Sequence, residues 1–374
     1  MLLYVYDQSM VMLGVVEEMA SLIWRRKYSA CGSFSLLAPA TQAHLALIHI
    51  GRLVMPYGGS EAGQIEYINI RKNQEGQMEM EVQGRFLPCW LGQRVLAVPL
   101  QDSASYPQLI RQMVEDNATA PADSRRAIPS LTMAQDSIAR PSVDYAWEPY
   151  QNLLTAVEDA AQASQIGFAI YSNPVTKNHV LALYEGVDRR RGNEAGNAPC
   201  VFSQEMDNIL EQDYTISTEN ARTTAYVLGA QPQDGEAPVA VVGGDAAGLD
   251  RAETLISATD AKWTQGEGEE QTTLTLEQYM AILSQRGADA LESLGAATAF
   301  ESQINSRGNL RYQIDYDLGD LVTCEARGWG VAAQARITQV VETYQAGSNQ
   351  LEITFGSTLP TLVDQVRKMV KGGR

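Results

Sequence analysis

The chain states one strand-and-turn phrase twice. Near its start, Gly51–Val54 reads GRLV. A turn-rich stretch follows, then Ile65–Ile70, Gly76, and the alternating run Met78–Val82 closed by Gly84. Near its end, Gly319–Val322 reads GDLV, followed by Ile337–Val341, Gly347, and the alternating run Leu351–Phe355 closed by Gly356. In MEMEVQG and LEITFG large apolar residues stand at every second position, the period of a strand buried on one face. A phrase repeated at both ends predicts duplication of a small β-barrel or sandwich. Two like modules in one chain suit symmetric assembly better than a single active site.

With 374 residues there is material for two or three domains with real cores. No apolar run approaches the ~20 residues that cross a bilayer, so no membrane partner is expected. Met1–Val16 is apolar but holds Asp7 and lacks a basic start. It reads as strand, turn, strand and not as a signal peptide, which implies assembly in the cytoplasm. The net charge is −17, from 45 acidic and 28 basic residues. Such a surface does not grip phosphate; it suits one that nucleic acid slides past, and equally it keeps a protein soluble. Cys31, Cys89, Cys200 and Cys324 form no CxxC pair, so buried thiols are expected in place of a zinc or redox site.

The first hundred residues read as β-rich. Strands are expected at Leu2–Tyr6, Val11–Val16, Ile23–Tyr28 and Phe34–Leu37, and a short helix within Ala40–Ile50. Ser105 then caps a helix with Leu109, Ile110, Met113 and Val114 on one face. Asn117–Pro129 reads as a connector. After Pro149 a second helix carries Leu153, Leu154, Val157, Ala160 and Ala161, stopped by Gly167. Phe168–Tyr171 and Val180–Tyr184 form a hairpin pattern. Val201–Phe202, Tyr214–Ile216 and Thr223–Leu228 are strands again. Leu210–Tyr214 and Ala225–Pro232 can be laid on Trp24–Tyr28 and Phe34–Pro39 as a second copy of the early hairpin. Thr275 and Gln278 make a capping box ahead of Tyr279, Met280 and Leu283. The fold class expected is α+β and β-rich. Its division is a first barrel over 1–100, a middle α+β domain over 101–198 and 245–308, a second barrel over 199–244 and 309–360, and a basic helix over 361–374 bearing Arg367, Lys368 and Lys371.

Chemical motifs are sparse. Val239–Gly248 runs from an apolar strand into Gly243, Gly244 and Gly248, but Asp245 stands where a dinucleotide loop needs glycine, so a turn is expected. Asp315, Asp317 and Asp320 lack the calcium-loop spacing. Tyr312, Ile314, Tyr316 and Leu318 interleave with them at period two, which predicts a half-buried strand with an acidic outer face. His44, His49 and His179 have no partner at metal spacing, and no serine sits in a GxSxG elbow. A Ser-His-Asp or Cys-His set assembled in space stays open. Arg189–Arg191 reads as a solvated loop, and Trp24 and Trp90 as core or interface anchors. No catalytic, cofactor-binding or metal residue is assigned.

Several short motifs occur in a recognisable order: Gly32 with Phe34, Gly84-Arg85-Phe86-Leu87 with Arg94, Asp188-Arg189, Val201-Phe202-Ser203, Gly248-Leu249-Asp250-Arg251, Tyr316-Asp317-Leu318-Gly319-Asp320, and Phe355-Gly356 before Pro360-Thr361-Leu362. Nearly end to end, the chain resembles the tail-hub proteins of long-tailed bacteriophages and phage-like particles. The resemblance implies two similar β-barrels, the second split by an inserted α+β domain. It implies a homotrimer whose six barrels form a pseudo-sixfold ring, joining a sixfold tail tube or distal tail protein to a threefold tape-measure end, spike or fibre. DNA would pass through the ring without being specifically bound. It further implies a virion protein at the tail tip, with no enzymatic activity and no cofactor. The chain stops shortly after its last barrel motif, so no fused peptidase or lysozyme module is expected. A cell-wall or surface-glycan hydrolase and a receptor-binding module are the alternatives.

Overall fold

The computed structural model describes residues 1–72, 76–97, 101–135, 137–147, 150–232, 235–265, 272–305, 307–345 and 348–356. The expected basic helix over 361–374 and Gly347 lie outside them. The described residues form a β-rich α+β fold in two compact units. The first holds residues 1–185, 222–294 and 342–349; the second holds 186–221, 295–341 and 350–356.

The first unit opens with β1 (Leu3–Tyr6), β2 (Met12–Val16), β3 (Ser21–Lys27), β4 (Ser33–Pro39), β5 (Leu53–Pro56), β6 (Gly63–Lys72) and β7 (Met78–Phe86), with α1 (Gln42–Leu47) between β4 and β5. These seven strands are hydrogen-bonded in the order β2-β1-β5-β6-β7-β4-β3, every pair antiparallel. Burial alternates strictly along β3 and β4. Leu22 and Trp24 of β3, Phe34, Leu36 and Ala38 of β4, and Met80 and Val82 of β7 therefore share one core with Leu3, Val5, Val54 and Ile65. Trp24 packs at 4.4 Å on Phe86 and 5.7 Å on Phe34, so it is a core anchor. The helix expected within 40–50 is only six residues long, and Ile50 faces solvent. Residues 342–349 also belong to this unit; Tyr344 packs on the same core.

A second core follows. It gathers the 3₁₀ turn Leu87–Gln93, β8 (Gln101–Ser105), α2 (Tyr106–Val114), β9 (Leu131–Met133), β10 (Ser142–Ala146), α3 (Leu153–Ala163), β11 (Gly167–Asn173) and β12 (Asn178–Tyr184). Ser105 stands at the N-cap of α2 as expected, and Gln108 Oε1 accepts from its N–H at 3.0 Å. Trp90 is buried in this core, its indole donating to Gln64.

The second unit begins with β13 (Val201–Ser203) and β14 (Ile209–Ser217). The chain then contributes a third core to the first unit, built from β15 (Thr224–Gly229), β16 (Val239–Val242), β17 (Glu253–Ala258), β18 (Thr264–Gln265), β19 (Thr272–Thr273) and α4 (Leu276–Ser293). Gln278 N donates to Thr275 Oγ1 at 3.2 Å and Thr275 N to Gln278 Oε1 at 2.9 Å, the capping box read from sequence. Gly287 brings α4 onto the sheet: a Cβ there would stand 2.7 Å from Val242 and 2.9 Å from Val227. Here the strand pairing departs from expectation. β15 does not form a hairpin with β14; it pairs antiparallel with β16 and parallel with β17. Its buried Ala225 and Val227 face α4, and that burial decides its partner.

The chain returns to the second unit with β20 (Ala297–Ile304), β21 (Leu321–Ala326), β22 (Val331–Gln345) and β23 (Ser348–Gly356). The hydrogen-bonded order is β13-β21-β22-β23-β20-β14. Phe355 centres its core, 4.9 Å from Phe202 and 6.2 Å from Phe300. In chain order and in ladder order β13, β14, β20, β21, β22 and β23 repeat β1, β3, β4, β5, β6 and β7, with one difference of direction: β13 runs parallel to β21, whereas β1 runs antiparallel to β5. The turn between β3 and β4 spans only 28–32, whereas 222–294 lies between β14 and β20. Among the described residues the ladder of neither path returns on itself.

The acidic run Tyr312–Leu318 is not a strand. It is a pair of turns, with Gln313 at φ +63° and Asp315 accepting from the Arg311 N–H at 2.8 Å. Aspartate carboxylates compete for nearby backbone donors and fold the chain back on itself, which overrides the alternating pattern.

Candidate functional site

The best-defined polar constellation of the second unit surrounds Asp320, in the repeated phrase itself. Asp320 is 3% exposed. Its Oδ1 accepts from the Val187 N–H at 2.7 Å, and its Oδ2 accepts from the Asp317 N–H at 3.0 Å and from Arg189 Nε at 2.9 Å. Gly186 makes the approach possible, since a Cβ there would fall 1.9 Å from the Gly319 carbonyl group. Arg190 grips Asp188, whose carboxyl is held down to about 2 by that side-chain hydrogen bond. Arg191 pairs with Glu325 at 2.7 Å. The tri-arginine is therefore not a free solvated loop. Each guanidinium has its own carboxylate, and together they fasten 187–191 along β21.

The corresponding place in the first unit has the same backbone. Gly51 N donates to Ile65 O at 2.8 Å and Ile65 N to Arg52 O at 2.9 Å; Gly319 N donates to Ile337 O at 2.8 Å and Ile337 N to Asp320 O at 2.9 Å. Both glycines have positive φ, +83° and +96°. The next ladder pairs also correspond: Leu53 with Gln64 and Val54 with Gly63, against Leu321 with Arg336 and Val322 with Ala335. Side-chain chemistry is reversed. Arg52 Nη1 donates to the carbonyls of Ala46 and Leu47 at the end of α1.

The other sequence motifs pin turns and do not converge on a pocket. Gly84 lies against β6, where a Cβ would stand 1.9 Å from Gln64 O; Arg85 forms a bidentate pair with Glu66, both contacts at 2.8 Å. Arg94 donates to Arg126 O at 2.7 Å. Arg251 ties the glycine turn after β16 to Gly244 O, Ala246 O, Tyr226 and Glu253, so Val239–Gly248 is the strand-and-turn expected. Of the motif residues, Asp188, Arg189 and Asp320 come together in the second unit; Arg85, Arg94 and Arg251 each serve a separate turn in the first.

One Ser-His pair does meet in space. Ser172 Oγ and His179 Nδ1 are 2.9 Å apart. Both are buried between β11 and β12, with the Trp90 ring edge-on to His179 at 4.9 Å. Burial pushes the His179 pKa below its ordinary value, which keeps the ring neutral. No substrate reaches a pair sealed in this way. The cysteines are free thiols, and burial pushes Cys89 up to about 12 and Cys200 up to about 11. Among the described residues no group of three His, Cys, Asp or Glu side chains could hold a metal ion, and no helix is long and apolar enough to cross a membrane.

Some of the exposed apolar residues stand on strands with an open edge. β2 ends the first ladder and exposes Met12 and Leu13, beside Val11. β14 ends the second and exposes Leu210 and Ile216. Beyond Gln64, β6 has β7 on one edge and no described strand on the other; Tyr67 and Ile70 there are nearly half exposed. Open edges with apolar side chains are docking surfaces or aggregation hazards. Sequence reasoning missed them because a single sequence does not distinguish an exposed Ile70 from a half-buried Ile68.

The profile of the family described as Siphovirus ReqiPepy6 Gp37-like protein matches residues 2–357. No curated protein matches the chain in sequence. Among solved structures, a tail protein from Neisseria meningitidis MC58 is similar with TM-score 0.57 and 13% identity, covering 95% of this chain and 96% of its own. The 43 kDa tail protein of prophage MuSo2 from Shewanella oneidensis is similar with TM-score 0.56 and 11% identity, covering 95% and 98%. Prophage tail protein gp18 from Listeria monocytogenes EGD-e is similar with TM-score 0.54 and 11% identity, covering 99% and 98%.

Proposed function

Since the chain belongs to the Siphovirus ReqiPepy6 Gp37-like protein family, we propose that it is a structural component of a phage tail, acting as the hub at the tail tip. Three copies form a ring in which the strand sets of 1–86 and of 199–221 with 295–356 occupy alternating positions. Six related positions meet a sixfold tail tube or distal tail protein; the threefold symmetry of the other face meets a tape-measure end, spike or fibre. In this reading 222–294 is an insertion placed at the turn equivalent to 28–32, a different boundary from the 245–308 read from sequence. The acidic balance of −17 suits a ring through which DNA moves without adhering.

The observation that carries this reading is the repeat of strand order, down to the paired hydrogen bonds at Gly51 and Gly319. A ring needs two complementary surfaces per chain, related by a rotation that closes. A duplicated sheet supplies both from one ancestral interface. The test is mass measurement of the purified chain, alone over a concentration series and with the cognate tail-tube protein. A three-copy assembly is expected in at least one condition. A chain that stays monomeric and inert in all of them contradicts the reading.

A further inference from the structure

We propose that the far end of β6 in one copy of the chain adds as a strand to β14 of a second copy. The proposal rests on the hub reading and specifies the surface through which the ring closes.

The argument comes from the duplication. Within the first unit, β3 has two neighbours: β4 on one edge and β22 on the other, with Tyr344 packed on the core behind it. The repeat makes β14 the equivalent of β3, and β6 the equivalent of β22. The same pairing with the copies exchanged would join β14 to the end of β6. Among the described residues that pairing is vacant on both sides. β14 has β20 as its single neighbour, and β6 beyond Gln64 has only β7. Two vacant edges that are equivalents of one filled pair call for a second copy of this chain, not for an unrelated partner.

Side chains agree with the pairing. Leu210 and Ile216 of β14 are exposed, as are Tyr67 and Ile70 of β6. Adding one strand to the other removes apolar surface on both and satisfies two rows of backbone groups. Charge also discriminates. In the filled pair β3 is the basic member, carrying Arg25 and Lys27 at half-exposed positions. In the vacant pair β14 is instead acidic, with exposed Glu211 and Asp213, and the end of β6 carries exposed Lys72 and Arg71, the latter 3.3 Å from Glu79 of β7. The basic end of β6 is thus matched to β14 and mismatched to β3, so the two kinds of edge cannot be interchanged. A contact between unlike edges is heterologous, the type that builds rings.

The experiment is a charge exchange read by sedimentation equilibrium, in the condition where the wild-type chain assembles. The double variants R71E/K72E and E211K/D213K each set like charges against each other and are expected to weaken association by on the order of 100-fold. The four-residue exchange in one chain is expected to restore it. Circular dichroism checks that each variant is folded. All four positions are exposed, and the restored variant carries every substitution at once. Undiminished assembly of either double variant, or failure of the fourfold exchange to restore it, overturns the edge pairing and leaves the hub reading standing. A wild-type chain that assembles in no condition overturns both.

Discussion

Gly51-Arg52 and Gly319-Asp320 occupy the same turn with opposite charges. The backbone of the two places is superposable in its hydrogen bonds, yet Arg52 donates to helix-end carbonyls and Asp320 accepts from backbone N–H groups and Arg189. The lesson concerns what a shared backbone phrase fixes. Glycine with positive φ and the apolar residues that follow it are dictated by the turn and the core, so both places have them. The residue between them is answerable only to its neighbourhood. In the first unit that neighbourhood is the carbonyl end of α1; in the second it is the donor-rich 187–191 loop. The electrostatics differs while the backbone hydrogen bonds match.

Substitutions sharpen that contrast. Removing the Asp320 carboxylate (Asp320→Ala) strands Arg189 and two backbone donors in a site with little water. A loss of about 3 kcal/mol is expected in urea unfolding, the low end for a broken buried pair because Arg189 retains some solvent. Next come the glycines that close the two alternating runs. Gly84→Ala forces a Cβ against Gln64 O and is expected to cost about 2–3 kcal/mol. Gly356→Ala, at φ +85°, is expected to cost about 1–2 kcal/mol from backbone strain. Equal losses at the two would break the claim that they serve different needs. Arg52→Ala should cost only about 0.5–1 kcal/mol, since its carbonyl partners lie near solvent. A loss matching that of Asp320→Ala would contradict the asymmetry.

The smallest expected effect is one of pH. Burial lowers the folded-state pKa of His179, so below about pH 6.5 the unfolded chain binds a proton that the folded chain refuses. This contribution to stability is full above that pH and is lost as pH falls. The urea midpoint should drop between pH 7 and pH 5, and His179→Gln should reduce the drop. An unchanged drop would mean that His179 is not held neutral.

Much of the sheet plan was legible because burial on one face writes period two into sequence. Met80 and Val82, and Ile353 and Phe355, announce their strands for that reason. Capping boxes were equally plain at Thr275 and Gln278, whose chemistry is local. Three things were hidden. β20 carries Phe300, Ser302 and Ile304 on its buried face, and the serine weakens the apolar alternation. The partner of β15 depends on α4, which begins some fifty residues later. Asp320 looked like part of an acidic face because its partners, Val187 and Arg189, lie more than 130 positions away. Short-range pattern reports faces and turns; it carries no record of which distant donor a carboxylate will meet.

The central claim is that one chain carries two versions of a single ring-forming sheet. Electron microscopy of the assembled tail tip tests it most directly. Three copies of the chain are predicted, with the two strand sets alternating around six positions and the end of β6 seated on β14 of the next copy. Six copies in the ring, or copies meeting through identical surfaces, would contradict the account.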